Sequence, residues 1–167
     1  MDKKVEVKEN KLSTRKQEII ERMAQFTERR GATPMNGRVF GFLLVAHQPK
    51  QDFFSICKSL DASKGAVSNA LNELIDFGVV KFEKKEGGRK RYFYVDHEAW
   101  METAKAELRS VTHFKVLIDD IIEIRGDDDF KKFREHLEHI SEFYSVMSNR
   151  LEEFIADWEQ EQQSNSA

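Results

Sequence analysis

Small polar and cationic side chains form two groups in the middle of this sequence, and their chemistry suits hydrogen bonding rather than bond breaking. The first group consists of five residues on one segment: Lys64, Gly65, Ser68, Asn69 and Asn72. Asparagine amides can pair with adenine edges, lysine suits a phosphate, and serine can bond to a base edge or to a phosphate. The second group is three cations behind two glycines: Arg89, Lys90 and Arg91. Arginines favour the narrow minor groove, where the negative potential of DNA is concentrated. Together the two groups predict contacts with double-stranded DNA.

The segment that carries the first group has the pattern of a helix-turn-helix. Asp52 can cap a short helix over 53–60, and a tight turn follows at 61–62. Ser63 can cap a second helix over about 64–77. The apolar stripe of that helix should be its buried back: Val67, Ala70, Leu71, Leu74 and Ile75. The small polar front would then face outward, as in a recognition helix. An ordinary surface helix is the alternative.

The residues behind this helix change from a helical to an extended pattern. Runs of β-branched and aromatic residues over 79–83 and 92–95 are joined by a glycine-containing, basic stretch over 84–91. A hairpin directly behind a recognition helix is a wing. Lys84 and Lys85 add two charges there, although a solvated charged turn explains these two equally well.

Two further helices are predicted before this region. The first begins after Ser13 and ends at Gly31, and the second begins at Pro34 and is apolar nearly all round. The second should therefore be the buried centre of the domain. Gly37 and Gly41 lie four residues apart, which would let another backbone approach closely.

The C-terminal third predicts long helices that join two copies of the chain. A helix over 97–125 ends at Gly126, and a last helix carries apolar residues at alternating spacings of three and four, the pattern of a coiled-coil seam. Eight residues are predicted to contribute to a homodimer: Ile19, Met23, Leu137, Ile140, Tyr144, Met147, Leu151 and Phe154. The alternative is that the seam folds back on its own chain.

Composition and charge set the broad class. The chain has 167 residues, 34% of them charged, and a net charge of −3 that hides an uneven distribution. Residues 31–95 carry 10 Lys and Arg against 6 Asp and Glu, whereas residues 96–167 carry 8 against 18. A nearly neutral protein can thus present one basic face. No apolar stretch is long enough for a membrane and no signal peptide is recognisable, so we expect a cytoplasmic protein.

We therefore expect a mainly α fold with a small β-hairpin wing, a winged helix-turn-helix plus long terminal dimerisation helices. Its parts would be a flexible tail over 1–12, an N-terminal helix over 13–33 that contributes to dimerisation, the DNA-binding domain over 34–96, a helical dimerisation region over 97–160 and a flexible tail over 161–167.

Enzyme, metal and cofactor chemistry find little support in the sequence. His136 and His139 lie beside Glu135 and Glu138, but a solvated charged face explains them better than a metal site. Cys57 lies in a hydrophobic pattern and is expected to be a buried thiol. An acidic cluster over 119–123 is explained as well by solvation or an interface. No cofactor and no catalytic residue is predicted.

Four aromatic residues could line a pocket for a cationic effector, although core packing explains them better. They are Phe40, Phe42, Trp100 and Phe114.

The central segment resembles the winged-helix core of the MarR superfamily, specifically its GbsR-like branch. The resemblance rests on the glycine-spaced second helix (GRVFG), on SKGAVS at the start of the recognition helix and on GRKRY in the wing, and it covers roughly residues 15–125. It implies a dimeric transcriptional regulator and allows control by a small-molecule effector bound between the reading head and the dimer helices.

This sequence departs from the family pattern in its wing, because the Asp-x-Arg motif of many members is absent. How the wing is braced is therefore open. The other function considered is a winged-helix module that binds protein through the same faces without reading DNA sequence.

Overall fold

The computed structural model describes residues 12–84, 88–126 and 130–165. These ranges form two compact units that divide between Trp100 and Met101. The elements in chain order are α1 (Thr14–Glu28), α2 (Pro34–Val45), β1 (Gln51–Asp52), α3 (Phe53–Leu60), α4 (Lys64–Asp76), β2 (Val80–Lys84), β3 (Arg91–Val95), α5 (His97–Arg125) and α6 (Lys131–Asn165). The expected architecture of a mainly helical chain with a small sheet is confirmed.

Side-chain caps start the helices of the first unit where the sequence predicts them. The hydroxyl of Ser13 accepts a hydrogen bond from the backbone N–H of Lys16, and Asp52 and Ser63 cap α3 and α4 in the same way. Each cap satisfies an N–H group that has no partner within the helix. Pro34 occupies the first turn of α2, where its missing N–H costs nothing.

Helix α2 is the centre of the first unit, as its composition predicts. Seven of its twelve residues are buried: Asn36, Gly37, Val39, Phe40, Gly41, Phe42 and Leu43. One continuous apolar cluster joins them to α1, α3, α4 and the sheet, through Ile20, Ile56, Val67, Leu71, Leu74, Val80 and Phe93 among others. The unit therefore holds α4 and the β2–β3 hairpin on a common core.

The backbone of α1 packs closely on α2 at the two glycines. A Cβ atom at Gly37 would lie 2.3 Å from the Thr27 hydroxyl oxygen and 2.4 Å from the Ala24 Cα. At Gly41 it would lie 3.1 Å from the Cβ of Met23. The predicted close approach is confirmed, and α1 belongs to the first unit.

The wing belongs to a three-stranded antiparallel sheet of order β1-β3-β2. The predicted hairpin is confirmed, with each strand extended by one residue toward the tip, so that Lys84 pairs with Arg91. Strand β1 was not predicted; Gln51 pairs with Phe93 and Asp52 with Tyr92. Two residues are too few for an alternating pattern to show in the sequence.

The second unit contains the antiparallel pairing of α6 with α5. The ammonium of Lys105 donates to the carboxylate of Glu159, and the Nε of Arg109 lies 3.4 Å from the Oε1 of Glu152. The Ser141 hydroxyl donates to the carboxylate of Asp119. The buried apolar residues among the described part of these two helices are Ile118, Leu137 and Ile155. Helix α6 continues to Asn165, into the segment 161–167 that the sequence predicts as a flexible tail, and residues 166–167 lie outside the described residues. No helix among the described residues combines the length and the apolarity that crossing a membrane requires.

Candidate nucleic-acid interface

A left-handed turn and a serine cap set the start of α4. Asp61 has φ 49° and ψ 45°, and the backbone N–H of Ala62 donates to the carbonyl of Cys57 at 3.1 Å. Ser63 then accepts from the backbone N–H of Ala66 at 3.2 Å. Because the turn is two residues long, α3 and α4 stay in contact, as a helix-turn-helix requires.

The two faces of α4 are as different as the sequence predicts. Its back is buried in the core through Val67, Ala70, Leu71 and Leu74. Its front is exposed at Lys64, Gly65, Asn69 and Asn72, while Ser68 is half-buried. A Cβ atom at Gly65 would meet no atom within 4 Å, so the space before the first turn is open. The front is therefore accessible to a large ligand.

A buried polar contact that sequence reasoning missed ties α4 to α2. Asn36 is 2% exposed, and its side-chain amide donates to the carboxylate of Glu73. The other end of the same side chain accepts a hydrogen bond from the Thr33 hydroxyl at 2.7 Å. A buried amide with both ends hydrogen-bonded fixes the orientation of α4 on α2, because any shift of one helix would leave a buried polar group unpaired. The one hint in the sequence is an asparagine inside the apolar run PMNGRVFGFLLV.

Two cation–ring contacts and one ion pair brace the wing. The guanidinium of Arg91 lies 4.6 Å from the ring centroid of Phe82, and the ammonium of Lys50 lies 2.6 Å from the carboxylate of Glu83. Lys50 also lies 5.3 Å from the ring centroid of Tyr94. A cation over an aromatic face is attracted by the electron density of the ring. These contacts link β2 to β3 and link Lys50, just before β1, to both of these strands.

The structure brings the wing cations and part of the α4 front around one groove. It has a volume of about 440 Å³, and its lining residues are Asp52, Phe53, Phe54, Ser68, Leu71, Asn72, Arg89, Lys90, Arg91 and Phe93. Five of the eight residues predicted to contact DNA line it; Lys64, Gly65 and Asn69 lie on exposed positions of α4 outside this lining. Lys84 is exposed at the end of β2, and Lys85 lies outside the described residues.

Asp52 lines this groove and caps the start of α3. Its carboxylate accepts from the backbone N–H groups of Phe54 and Ser55, at 3.1 and 3.3 Å, and from the Ser55 hydroxyl at 2.7 Å. Burial opposes ionisation, but these hydrogen bonds outweigh it and hold the pKa of Asp52 below its ordinary value. A lowered pKa in the folded state stabilises the protein above the unfolded pKa of about 3.9, and this stabilisation disappears as the pH falls through the folded pKa.

We expect Asp52→Ala to lower the free energy of unfolding by about 1 kcal/mol at pH 7, because the cap is lost. The difference from the wild type should shrink in acid, which urea unfolding at several pH values measures. Asp52→Asn is the matched control, since asparagine caps equally well but does not ionise. An Asp52→Ala variant with wild-type stability at pH 7 would contradict the role of the cap.

The residues predicted for dimerisation divide between covered and exposed positions. Met23 is half-buried against the core of its own unit, whereas Ile19 is 38% exposed. On α6, Leu137 is buried and the ring of Tyr144 lies 4.9 Å from that of Phe114 on α5. Met147 and Leu151 are half-buried.

The apolar seam of α6 is therefore shared between two faces. The side that packs within the second unit centres on Ser148 and Ile155, neither of which is a predicted seam residue. The other side keeps Ile140 and Phe154 at 40% and 57% exposure. Part of the seam thus folds onto its own chain and part of it stays uncovered in the single chain.

The remaining candidate residues lie away from the groove. His136 and His139 are exposed, and among the described residues no group of three His, Cys, Asp or Glu side chains could hold a metal ion. Cys57 is half-buried rather than fully buried as expected, since α3 is short and lies near the surface; its burial raises the pKa of the thiol.

The aromatic residues considered for an effector pocket have separate packing partners. Phe40 and Phe42 are core residues, and Trp100 meets the ring of Phe40 edge-on at 5.1 Å. Phe114 packs on Tyr144 in the second unit. Core packing accounts for Phe40 and Phe42, whereas Trp100 and Phe114 keep 39% and 45% exposure.

Comparison with known proteins places the chain beside transcriptional regulators. No protein-family model matches it. It is 26% identical over 143 residues, 86% of either chain, to the HTH-type transcriptional regulator MmpR5 of Mycobacterium tuberculosis (strain ATCC 25618 / H37Rv).

Two solved structures were compared with the fold. A crystal structure of a transcriptional regulator matches with a TM-score of 0.66 and 25% identity, over 87% of this chain and 99% of that one. A MarR family transcriptional regulator from Silicibacter pomeroyi DSS matches with a TM-score of 0.42 and 17% identity, over 78% of this chain and 82% of that one. That last similarity is too low to carry an argument. The chain is thus similar to transcriptional regulators in sequence and in fold.

Proposed function

We propose that this protein is a dimeric transcriptional regulator that reads a palindromic operator, with α4 in the major groove and the wing near the minor groove. The observation that carries the proposal is the groove, where Ser68 and Asn72 of α4 share a lining with Arg89, Lys90 and Arg91 of the wing. A recognition helix and a basic wing that open onto the same space can engage adjacent grooves of one duplex.

Each predicted contact has a role that its exposure permits. Asn69 and Asn72 offer amides that can bond to adenine edges in the major groove, and Ser68 can bond to a base or a phosphate. Lys64 and the backbone at Gly65 stand at the start of α4, where N–H groups and positive charge favour phosphate. The wing cations supply electrostatic affinity that does not depend on sequence.

The distribution of charge favours DNA over a protein partner for this face. Residues 31–95 carry an excess of four positive charges, and Arg89, Lys90 and Arg91 are all exposed. A polyanion gains from such a face by releasing its counterions. The acidic C-terminal part would be repelled by DNA, which leaves the first unit as the binding surface.

Dimerisation is part of the proposal because one helix-turn-helix seldom binds tightly, whereas two heads about 34 Å apart read a palindrome. The exposed side of α6 supports it, since Ile140 and Phe154 would be covered by the same face of a second copy. On the resemblance alone, the proposal extends to the GbsR-like branch of the MarR superfamily and to control by a small-molecule effector.

The test begins with selection of bound sites from a pool of genomic DNA fragments, followed by fluorescence anisotropy on the selected duplex. We expect Arg89→Ala to weaken binding to selected and random duplexes alike, and to reduce the slope of log affinity against log salt by about 1, since one phosphate contact is lost. Arg150→Ala is the matched control, because Arg150 is an exposed arginine of α6.

Light scattering of the complex should give two chains for each duplex. The proposal fails if the wild type retains no duplex in a salt-sensitive way, an outcome that would favour a protein-binding module. It also fails if Arg89→Ala and Arg150→Ala behave identically, or if the particle contains one chain.

A further inference from the structure

Phe54 is an exposed aromatic residue at the edge of the reading surface. It is the second residue of α3, its side chain is 59% exposed, and it lines the groove together with Ser68 and Asn72. Phe40, Phe42 and Phe93 of this unit are buried, whereas Phe26, Phe77 and Phe82 are exposed as Phe54 is; of these four exposed rings, Phe54 is the one that lines the groove. A ring that stays in water forgoes the free energy of burial, which makes its position informative.

Local contacts hold the ring in place without covering it. The backbone N–H of Phe54 is bonded to the Asp52 carboxylate, and its ring meets that of Phe53 edge-on, with centroids 5.6 Å apart. The ammonium of Lys64, at the start of α4, lies 5.3 Å from the ring centroid. The ring is therefore positioned next to the end of the recognition helix that would enter the major groove first.

We infer that Phe54 recognises the 5-methyl group of a thymine in the operator, an inference that rests on the proposed function. Thymine offers the one methyl group on the major-groove edges of the four bases, and phenylalanine is a side chain suited to contact it. The amide of Asn72 can bond to an adenine edge in the same groove. Phe54 and Asn72 together would then favour A·T pairs.

The experiment removes the methyl group and the ring separately. Each thymine of a selected duplex is replaced in turn by deoxyuridine, which lacks only the 5-methyl group, and affinity is measured by anisotropy. At one position in the half-site the wild type should lose about fourfold in affinity, the value of burying one such carbon. Phe54→Ala should bind the thymine duplex more weakly and lose nothing further at that position, because the two changes remove the same contact.

Two variants serve as controls. Phe54→Leu keeps an apolar side chain and should retain part of the discrimination between thymine and uracil. Phe77→Ala removes a phenylalanine of similar exposure, 62%, at the opposite end of α4, and should keep the wild-type profile.

Three outcomes overturn the inference while leaving the proposed function in place. In the first, no thymine position responds to the loss of its methyl group. In the second, Phe54→Ala shows the wild-type profile. In the third, Phe54→Ala weakens binding to every duplex equally, which indicates a contact with deoxyribose. If the wild type binds no duplex at all, the proposed function fails first.

Discussion

Replacing Gly37 with alanine is expected to lower the free energy of unfolding by about 3 kcal/mol, at the upper end of the cost of overpacking a core. The new Cβ would meet the Ala24 Cα at 2.4 Å and the Met23 carbonyl oxygen at 2.7 Å, and neither backbone atom can move without separating α1 from α2. Alanine favours a helix over glycine by about 0.5 to 1 kcal/mol. The steric cost of the new Cβ atom must exceed this gain if the variant is to lose stability.

The chain offers two glycines as graded controls. At Gly41 a Cβ atom would lie 3.1 Å from the Met23 Cβ and 3.2 Å from the Ile20 Cα, so Gly41→Ala should cost about 1 kcal/mol. At Gly65 it would meet nothing within 4 Å, and Gly65→Ala should be neutral or slightly stabilising. Urea unfolding followed by circular dichroism measures all three, and a Gly37→Ala variant as stable as Gly65→Ala would show that the helices do not pack this closely.

Asn69→Ala is expected to relax base preference at one operator position by about 1 to 3 kcal/mol, or roughly 5- to 150-fold, with little change in binding to random DNA. Asn69 is exposed on the front of α4, one residue beyond Ser68, and contributes little to the fold. Its amide can make two hydrogen bonds to an adenine, which a methyl group cannot replace.

Anisotropy on the selected duplex and on single-base variants of it measures the effect of Asn69→Ala. Asn149→Ala, an exposed asparagine of α6, is the matched control and should leave the profile unchanged. Equal losses on selected and random duplexes would instead assign Asn69 to the phosphate backbone, and no loss at all would remove it from the interface.

The sequence by itself predicts the local structure of most elements. The caps at Ser13, Asp52 and Ser63 join atoms no more than three residues apart, and the α5 boundaries and the hairpin depend on periodicity and glycines. Such short-range interactions cost little loop-closure entropy, and they can be predicted without the rest of the chain. The polar front of α4 also followed, because its apolar stripe fixes which side is buried.

Long-range pairings were decided by the tertiary structure. The Asn36–Glu73 hydrogen bond spans 37 residues, and β1 pairs with a strand about 40 residues away, so neither leaves a local pattern. On α6 the alternating spacing predicts Phe154, and not Ile155, as a residue of the seam. The position of α5 buries Ile155 and leaves Phe154 exposed, since burial is a property of the neighbouring surface and not of the residue itself.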